Sequence, residues 1–464
     1  MASNKKNRLK STYHRKKKKP GNRGPGFRGS LRRYALWFAL LMLPMLFWQG
    51  TIFYVQLRAR ALIAERNPRE ARRWVSWVNK FSLRSKTNEF LLARCARKLG
   101  DYQGLAIHLT KAFDLGYDPI MVQREDWLAS AQTGNLLESE PHLAELINDP
   151  RGDGQEICEA YVMGYLLIQQ YMGAEEILKG WANAYPHDPQ PWYLRGVVFR
   201  DVNKWKESET AFRRTLSIDP DYAEAAFQLG SVLLTLKKTD EAFKFFEQAA
   251  RQDDLQAECR VGQAHCYRLL GNPVKAREIL DSVIADHPNE PSAALELGRL
   301  SLAGGDYKSA IHWLEPLVRK DRRNTDARYS LASALSLVGR TEDAQTHFDA
   351  VAEINDHLAD ANQLSESINT SPESADNRLK IGLIHMQYGS EVEGLTWLRG
   401  ALSVNPQHRP TVEAMLSYYQ NKITDKPDNP AYRSTLEKLK QMLREIPSVD
   451  KLPETEAGAE VSGE

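Results

Sequence analysis

Residues 189–222 read PQPWYLRGVVFRDVNKWKESETAFRRTLSIDPDY, and residues 223–256 read AEAAFQLGSVLLTLKKTDEAFKFFEQAARQDDLQ. Laid one above the other, the two stretches agree in residue type at fixed places. Trp192, Arg195, Gly196 and Phe199 fall on Ala226, Leu229, Gly230 and Leu233. Ser208, Phe212 and Thr215 fall on Ala242, Phe246 and Ala249. A further step of 34 gives Ala264, Tyr267, Ala276, Leu280, Val283 and Pro288. The next gives Leu297, Gly298, Ala310, Leu314 and Leu317, and the last gives Leu331, Ala332, Leu335, Ala344, Phe348 and Val351. The phase does not slip between residues 189 and 358.

These spacings have a physical cause. Apolar residues recur at three- and four-residue steps, the stripe of an amphipathic helix, and each unit holds two such stripes. The eighth position is small (Gly196, Gly230, Ala264, Gly298, Ala332), and so is the twentieth (Ser208, Ala242, Ala276, Ala310, Ala344), which lets the two helices approach closely. Turn residues separate them, as in Gly271-Asn272-Pro273 and Gly304-Gly305-Asp306. Pro220 and Pro288 close the second helix, because proline disfavours helix at the residue before it. The pattern resembles the tetratricopeptide repeat, or TPR, with its W-x2-L-G-x2-Y, A-x3-F and P positions over 34 residues. That resemblance implies an all-α fold: a TPR helix-turn-helix solenoid wound as a right-handed superhelix.

The repeat extends in both directions with decay. Residues 86–188 read as degenerate TPR-like units. Within them 155–188 keeps the phase through Ala174, Leu178, Trp181 and Pro186, 86–119 carries Leu92-Ala93, Gly100-Asp101-Tyr102, Leu109 and Ala112, and 120–154 fits poorly. Residues 58–85 read as a juxtamembrane helix or partial repeat, with Asn67 as N-cap and Pro68 in the first turn. After the five in-phase units of 189–358, a Ser/Asn-rich insertion at 359–374 shifts the phase by sixteen. The phase resumes in a TPR at 375–408 with Ile381-Gly382, Leu398, Ala401 and Pro406. Capping helices are expected over 409–445 and an acidic, disordered tail over 446–464. The whole is an array of about eight to ten units.

The N-terminus differs in kind. Residues 1–33 hold thirteen Lys or Arg and no Asp or Glu, which leaves −11 on the rest of a chain whose net charge is +2. Residues 34–57 carry no charge, and as a helix they would rise about 36 Å, enough for a hydrocarbon core of about 30 Å. The expectation is a single-pass transmembrane helix with Pro44 as a kink and Trp37, Trp48 and Tyr54 as amphipathic aromatics. A cleaved signal peptide fits less well, although Ala59-Arg60-Ala61 has the form of a cleavage site. The apolar run is too long, and Arg58 and Arg60 crowd that site. Nine Lys or Arg in 14–33 against six in 58–77 place the basic, disordered arm 1–33 in the cytoplasm and the repeat body outside it, in a periplasm or lumen. Lys16, Lys17, Lys18 and Lys19 are suited to anionic lipid headgroups. Aromatics are not interleaved with these lysines, which argues against nucleic acid as the partner.

On the concave face, the TPR resemblance implies that partners meet the first helix of each unit. The positions are Tyr193, Val197 and Arg200; Phe227 and Ser231; Val261, His265 and Arg268; Leu295 and Arg299; Tyr329 and Ser333. Aromatics and Arg dominate protein-binding hot spots, so the expected ligand is an extended or helical peptide with acidic and apolar residues. Packing between neighbouring helices accounts for the same residue types. The Lys/Asn pattern of TPR modules that clamp a chaperone's terminal carboxylate is absent.

Catalytic constellations are missing. There is no G-x-x-x-x-G-K-[ST], G-x-S-x-G or H-E-x-x-H, and His265 and His312 lie inside repeats. Cys95, Cys158, Cys259 and Cys266 form no C-x-x-C pair and read as buried thiols, so neither a zinc site nor the rubredoxin-like site of TPR proteins of lipopolysaccharide assembly is expected. Asn369-Thr370-Ser371 is a formal glycosylation sequon that matters only in a secretory pathway. No cofactor, metal or small-molecule substrate is expected. The expected function is that of a membrane-anchored TPR scaffold or adaptor in the assembly or organisation of an envelope or membrane complex. The alternatives are an accessory subunit of a separate membrane enzyme and, remotely, an unrecognised enzyme.

Overall fold

The computed structural model describes residues 47–81, 85–252, 255–368, 371, 373–425 and 430–446. It divides into two compact units, Met1–Val122 and Gln123–Glu464. The described regular structure of both is helical.

Unit 1 contains α1 (47–64), α2 (Pro68–Phe81), α3 (Lys86–Lys98) and α4 (Tyr102–Asp114). Val55, Ala59, Leu62 and Ile63 of α1 bury against Ala71, Val75 and Val78 of α2 and Leu91, Leu92 and Cys95 of α3. Asn67 does cap α2, its Oδ1 accepting from the Glu70 amide at 3.2 Å. Ser85 and Asp101 cap α3 and α4 by accepting from the amides of Asn88 and Gly104.

The membrane span expected at 34–57 overlaps this packing only at its C-terminal end. Residues 34–46 lie outside the described residues, as does the arm 1–33. Residues 47–57 are helical and covered on one side only: Ile52 and Val55 pack on the core of unit 1, while Phe47, Phe53, Tyr54 and Leu57 are 78 %, 65 %, 60 % and 55 % exposed. Val55 is 2 % exposed, and Gln56 Nε2 donates to Asn88 Oδ1 at 2.8 Å. Among the described residues, no helix is long and apolar enough to cross a membrane.

Unit 2 begins within α5 (Pro119–Gln132). The poorly fitting stretch that follows is broken into α6 (Leu136–Ser139), a 3-10 turn (Glu140–His142) and α7 (Leu143–Asn148). Pro141 lacks the amide that would continue a regular second helix. Regular pairs then run without interruption: α8 (Gly154–Leu167) with α9 (Tyr171–Ala184), α10 (Gln190–Asp201) with α11 (Trp205–Ile218), α12 (Ala223–Thr235) with α13 (Thr239–Ala249), and α14 (Gln256–Leu269) with α15 (Pro273–Asp286). After them come α16 (Pro291–Ala303) with α17 (Tyr307–Lys320), α18 (Thr325–Leu337) with α19 (Thr341–Ile368), α20 (Ala375–Tyr388) with α21 (Glu391–Val404), and α22 (Arg409–Asp425) with α23 (Pro430–Glu445). In α22 and α23, Val412, Met415 and Leu439 cover Leu398 of the preceding pair.

The small eighth position acts as its spacing implied. A Cβ added at Gly196 would stand 2.5 Å from the Phe212 ring, and one at Gly298 would stand 2.5 Å from Leu314. Ser208 Oγ donates to the Gly196 carbonyl at 2.7 Å across the same contact. The turns within the six pairs from α8–α9 to α18–α19 each pass through one left-handed residue at the same repeat position: Gln169, Asn203, Lys237, Gly271, Gly305 and Gly339. No disulfide joins the four cysteines. Burial pushes the thiols of Cys259 and Cys266 up to about 12 and that of Cys158 to about 11, so they are inert hydrophobes.

The Ser/Asn-rich insertion begins as helix. The residues 359–368 extend α19 to 28 residues: Ile354, Ala361 and Ile368 are buried at seven-residue steps, and Ala361 and Ile368 pack with Ile381 and Trp397. The lengthened helix accompanies a contact between distant repeats of unit 2. Arg378 Nη1 on α20 donates to the Ile168 carbonyl at the end of α8 at 2.6 Å. Ser403 Oγ on α21 donates to the Gly134 carbonyl at 2.8 Å. A Cβ at Gly400 would meet the Ile168 carbonyl oxygen at 3.2 Å. Unit 2 therefore folds back on itself, the α20–α21 pair against the turns that follow α5 and α8.

Candidate functional site

The residues expected on the concave face lie in two groups. The first is α10 and α12. Tyr193 stacks on Tyr222 with ring centroids 5.1 Å apart and tilts onto Phe212 at 5.9 Å, and Phe227 meets Phe246 edge-on at 5.8 Å. Val197 packs in the same cluster. Ser231 Oγ donates back to the Phe227 carbonyl at 3.1 Å. Tyr193, Val197 and Phe227 are thus half-buried between neighbouring helices. Arg200 is also engaged: Nη1 donates to Gln228 Oε1 at 2.6 Å and Nη2 to Asp201 Oδ1 at 2.7 Å.

The second group surrounds a carboxylate that the sequence reading did not single out. Glu296 of α16 is 4 % exposed. Arg268 Nε donates to its Oε2 at 2.9 Å and Arg299 Nη1 to its Oε1 at 3.1 Å, while His265 Nδ1 stands 3.3 Å from Oε1. Arg299 Nη2 also reaches Asp326 at 3.0 Å. Burial lowers His265, and Arg268 and Arg299 lower it further against the pull of Glu296. Burial pushes the Glu296 carboxyl up, but His265, Arg268 and Arg299 outweigh it and hold the carboxyl below its ordinary value. The signal in the sequence was a spacing: Arg200 to Gln228 and Arg268 to Glu296 are both 28 residues, the reach from one repeat's first helix to an acceptor on the next.

Arg268, Arg299, Leu302, Asp326, Tyr329 and Asn355 line an open hollow of about 630 Å³. Tyr329 is 57 % exposed and meets Phe348 edge-on at 5.5 Å, and Ser333 Oγ donates to the Tyr329 carbonyl at 2.9 Å. The structure thus brings His265, Arg268, Arg299 and Tyr329 together around one surface and leaves Tyr193, Val197 and Phe227 in interhelical packing. Of the two further positions, Val261 is buried and Leu295 half-buried.

Family models for the tetratricopeptide repeat match residues 193–257, 233–300 and 295–359. Residues 193–359 thus carry tetratricopeptide repeats. Cellulose synthase operon protein C of Xanthomonas axonopodis pv. citri is 28% identical over 174 residues, 35% of this chain and 11% of that protein. BBSome complex member BBS4 of Xenopus tropicalis is 25% identical over 134 residues, 29% of this chain and 26% of that protein. The matched stretches are thus about a tenth and a quarter of those relatives' lengths. Among solved structures, PilW, a type IV pilus biogenesis factor, is 21% identical with a TM-score of 0.38 and covers 41% of this chain and 89% of its own.

Proposed function

We propose that this protein is a membrane-anchored TPR scaffold or adaptor, a binding protein and not an enzyme, that holds segments of partner proteins on the inner helices of unit 2 and organises an envelope or membrane complex. The observation that carries the reading is the hollow at Arg268, Arg299 and Tyr329. It offers an exposed ring beside polar groups already oriented by their neighbours, and preorganised aromatic and guanidinium groups are what protein segments bind best. Because Glu296 and Asp326 neutralise the two arginines, recognition rests on the apolar surface of Tyr329 and Leu302 with hydrogen bonding at the rim. Closure of unit 2 on itself favours a slim segment, extended or helical, over a folded domain. The anchor, the uncharged run from residue 34, raises the local concentration of what is held. The cytoplasmic arm, with Lys16, Lys17, Lys18 and Lys19 on anionic headgroups, fixes the body on the far side.

Tyr329→Ala is expected to weaken partner capture about tenfold, in keeping with loss of an anchor worth about 1.4 kcal/mol, while leaving the melting temperature unchanged. Undiminished crosslinking of partners by Tyr329→Ala would remove this surface from consideration. The localisation is tested by protease treatment of intact spheroplasts carrying a C-terminal tag. Digestion from outside is expected, and protection until lysis would place the repeats in the cytoplasm.

A second reading has a specific observation behind it. One relative is named for a cellulose synthase operon, which favours an accessory subunit of a separate membrane enzyme. A single stoichiometric partner in the purified complex would select this reading over a general scaffold.

A further inference from the structure

Helix α2 buries one side and displays the other. Ala71, Val75 and Val78 face the core of unit 1. At 100° per residue, Arg69, Glu70, Arg73, Trp74, Trp77 and Lys80 form a stripe on the opposite side. Trp74 is 38 % and Trp77 48 % exposed. Large exposed aromatics beside cations are uncommon on a surface that meets only water. The acid in the stripe is already occupied: Glu70 accepts from Trp74 Nε1 at 3.3 Å and from Asn67 Nδ2 at 3.0 Å. The net character is therefore cationic and aromatic. Arg69, Arg73 and the two tryptophans also border a concavity of about 610 Å³, large enough for a phospholipid headgroup.

What covers this stripe follows from what lies beside it. Trp77 lies against Trp48, with ring centroids 6.2 Å apart. Trp48 stands near the start of α1, where the chain arrives from the uncharged run that begins at residue 34. The stripe is thus tied to the end of α1 that leads to the most apolar segment in the sequence. Tryptophan beside Arg and Lys is the chemistry of the bilayer interface: the indole takes the boundary between tails and headgroups, and the cations take phosphates.

We propose that the α2 stripe is a lipid-docking surface, with Trp74 and Trp77 in the headgroup layer of the bilayer and Arg69, Arg73 and Lys80 on anionic phosphates. The proposal rests on the reading that the run from residue 34 enters the membrane. It adds that unit 1 lies on the bilayer and is not held off it by a tether.

The test uses the full chain in vesicles of phosphatidylcholine and phosphatidylglycerol, with and without lipids brominated near the headgroup. Quenching of wild-type tryptophan fluorescence is compared with that of W74F/W77F, and both proteins are washed with alkaline carbonate. The Phe variant keeps the apolar bulk of two exposed sites, and circular dichroism checks its fold. A wild-type excess of quenching that shrinks severalfold when phosphatidylglycerol is left out is the expected result. Resistance to carbonate with no excess would uphold the anchor and overturn the docking. Release by carbonate with the excess still present would uphold docking and overturn the spanning segment. Release without the excess would overturn both. A dimer lost in W74F/W77F, with no excess quenching, would assign the stripe to a second copy of the chain and overturn the lipid proposal.

Discussion

Replacing Arg268 and Arg299 together by Ala is expected to destabilise unit 2 by about 3 kcal/mol, and adding Glu296→Leu to the same chain is expected to restore most of that loss. The reason is burial. Glu296 is 4 % exposed, and the two guanidinium groups are its charged partners. Deleting the partners of a buried ion strands it, which costs about 3–5 kcal/mol, whereas replacing the whole set with apolar groups is close to neutral. The lower end applies because the arginine side chains are 21% and 24% exposed and part of their interaction is screened. Charge reversal at these sites is a poor test of partner binding for the same reason: it would break the repeats that form the surface. Tyr329 carries no such duty.

The pH dependence separates this cause from a general loss of packing. In the wild type the folded Glu296 carboxyl is held below its reference value of 4.5. It therefore contributes stability above that value and loses it as the pH falls through the folded value. In the double variant only His265 remains to oppose burial, so the carboxyl is raised relative to wild type. Its ionisation then favours folding less than in wild type, so the deficit grows as the pH rises and is smaller near about pH 4 than near about pH 8. Thermal melts of wild type, double and triple variants at both pH values measure this. A deficit independent of pH, or no rescue by Glu296→Leu, would mean that the arginines act through their packing.

How much of this was legible depends on the range of the interaction. Contacts within a repeat repeat themselves, so small residues at 196, 230 and 298 opposite Phe212, Phe246 and Leu314 announced both the helix pairs and their closeness. Contacts between adjacent repeats were half legible. The arginines were marked as groove residues, but an Arg reads alike whether its partner is a ligand or its own chain. Only the 28-residue spacing to Gln228 and Glu296 distinguishes the two. The insertion at 359–368 is rich in Ser and Asn, which hid an apolar stripe of period seven sufficient to continue α19. The span at 34–57 was read from hydropathy, which does not register that Ile52 and Val55 near its C-terminal end also pack on the core of unit 1. Closure of unit 2 joins Ile168 to Arg378 and Gly134 to Ser403, pairs that no periodicity relates.

That closure leads to the other large effect. Arg378 is fully buried and stands where the first in-phase unit has Trp192. Burial pulls its guanidinium down to about 10, so at neutral pH it enters the contact charged. It donates to the Ile168 carbonyl and lies 5.9 Å from the centroid of the buried Trp397 ring. Arg378→Ala removes a charge-assisted hydrogen bond worth about 1.5–3 kcal/mol and leaves a cavity beside Trp397, for a local loss of about 3 kcal/mol or more. The loss should stay local, because the central repeats contact their own neighbours and repeat arrays respond nearest-neighbour by nearest-neighbour. Hydrogen exchange is therefore expected to quicken in 134–170 and 378–403 and to remain unchanged in 223–320. Gly400→Leu attacks the same contact from α21 by forcing a side chain against the Ile168 backbone, and it should give the same map. With the contact open, the inner face would admit a bulkier partner, so capture of a folded domain should rise while Tyr329-dependent capture of slim segments persists. Uniform acceleration of exchange across the repeats would show that Arg378 supports its own helix pair and not the closure.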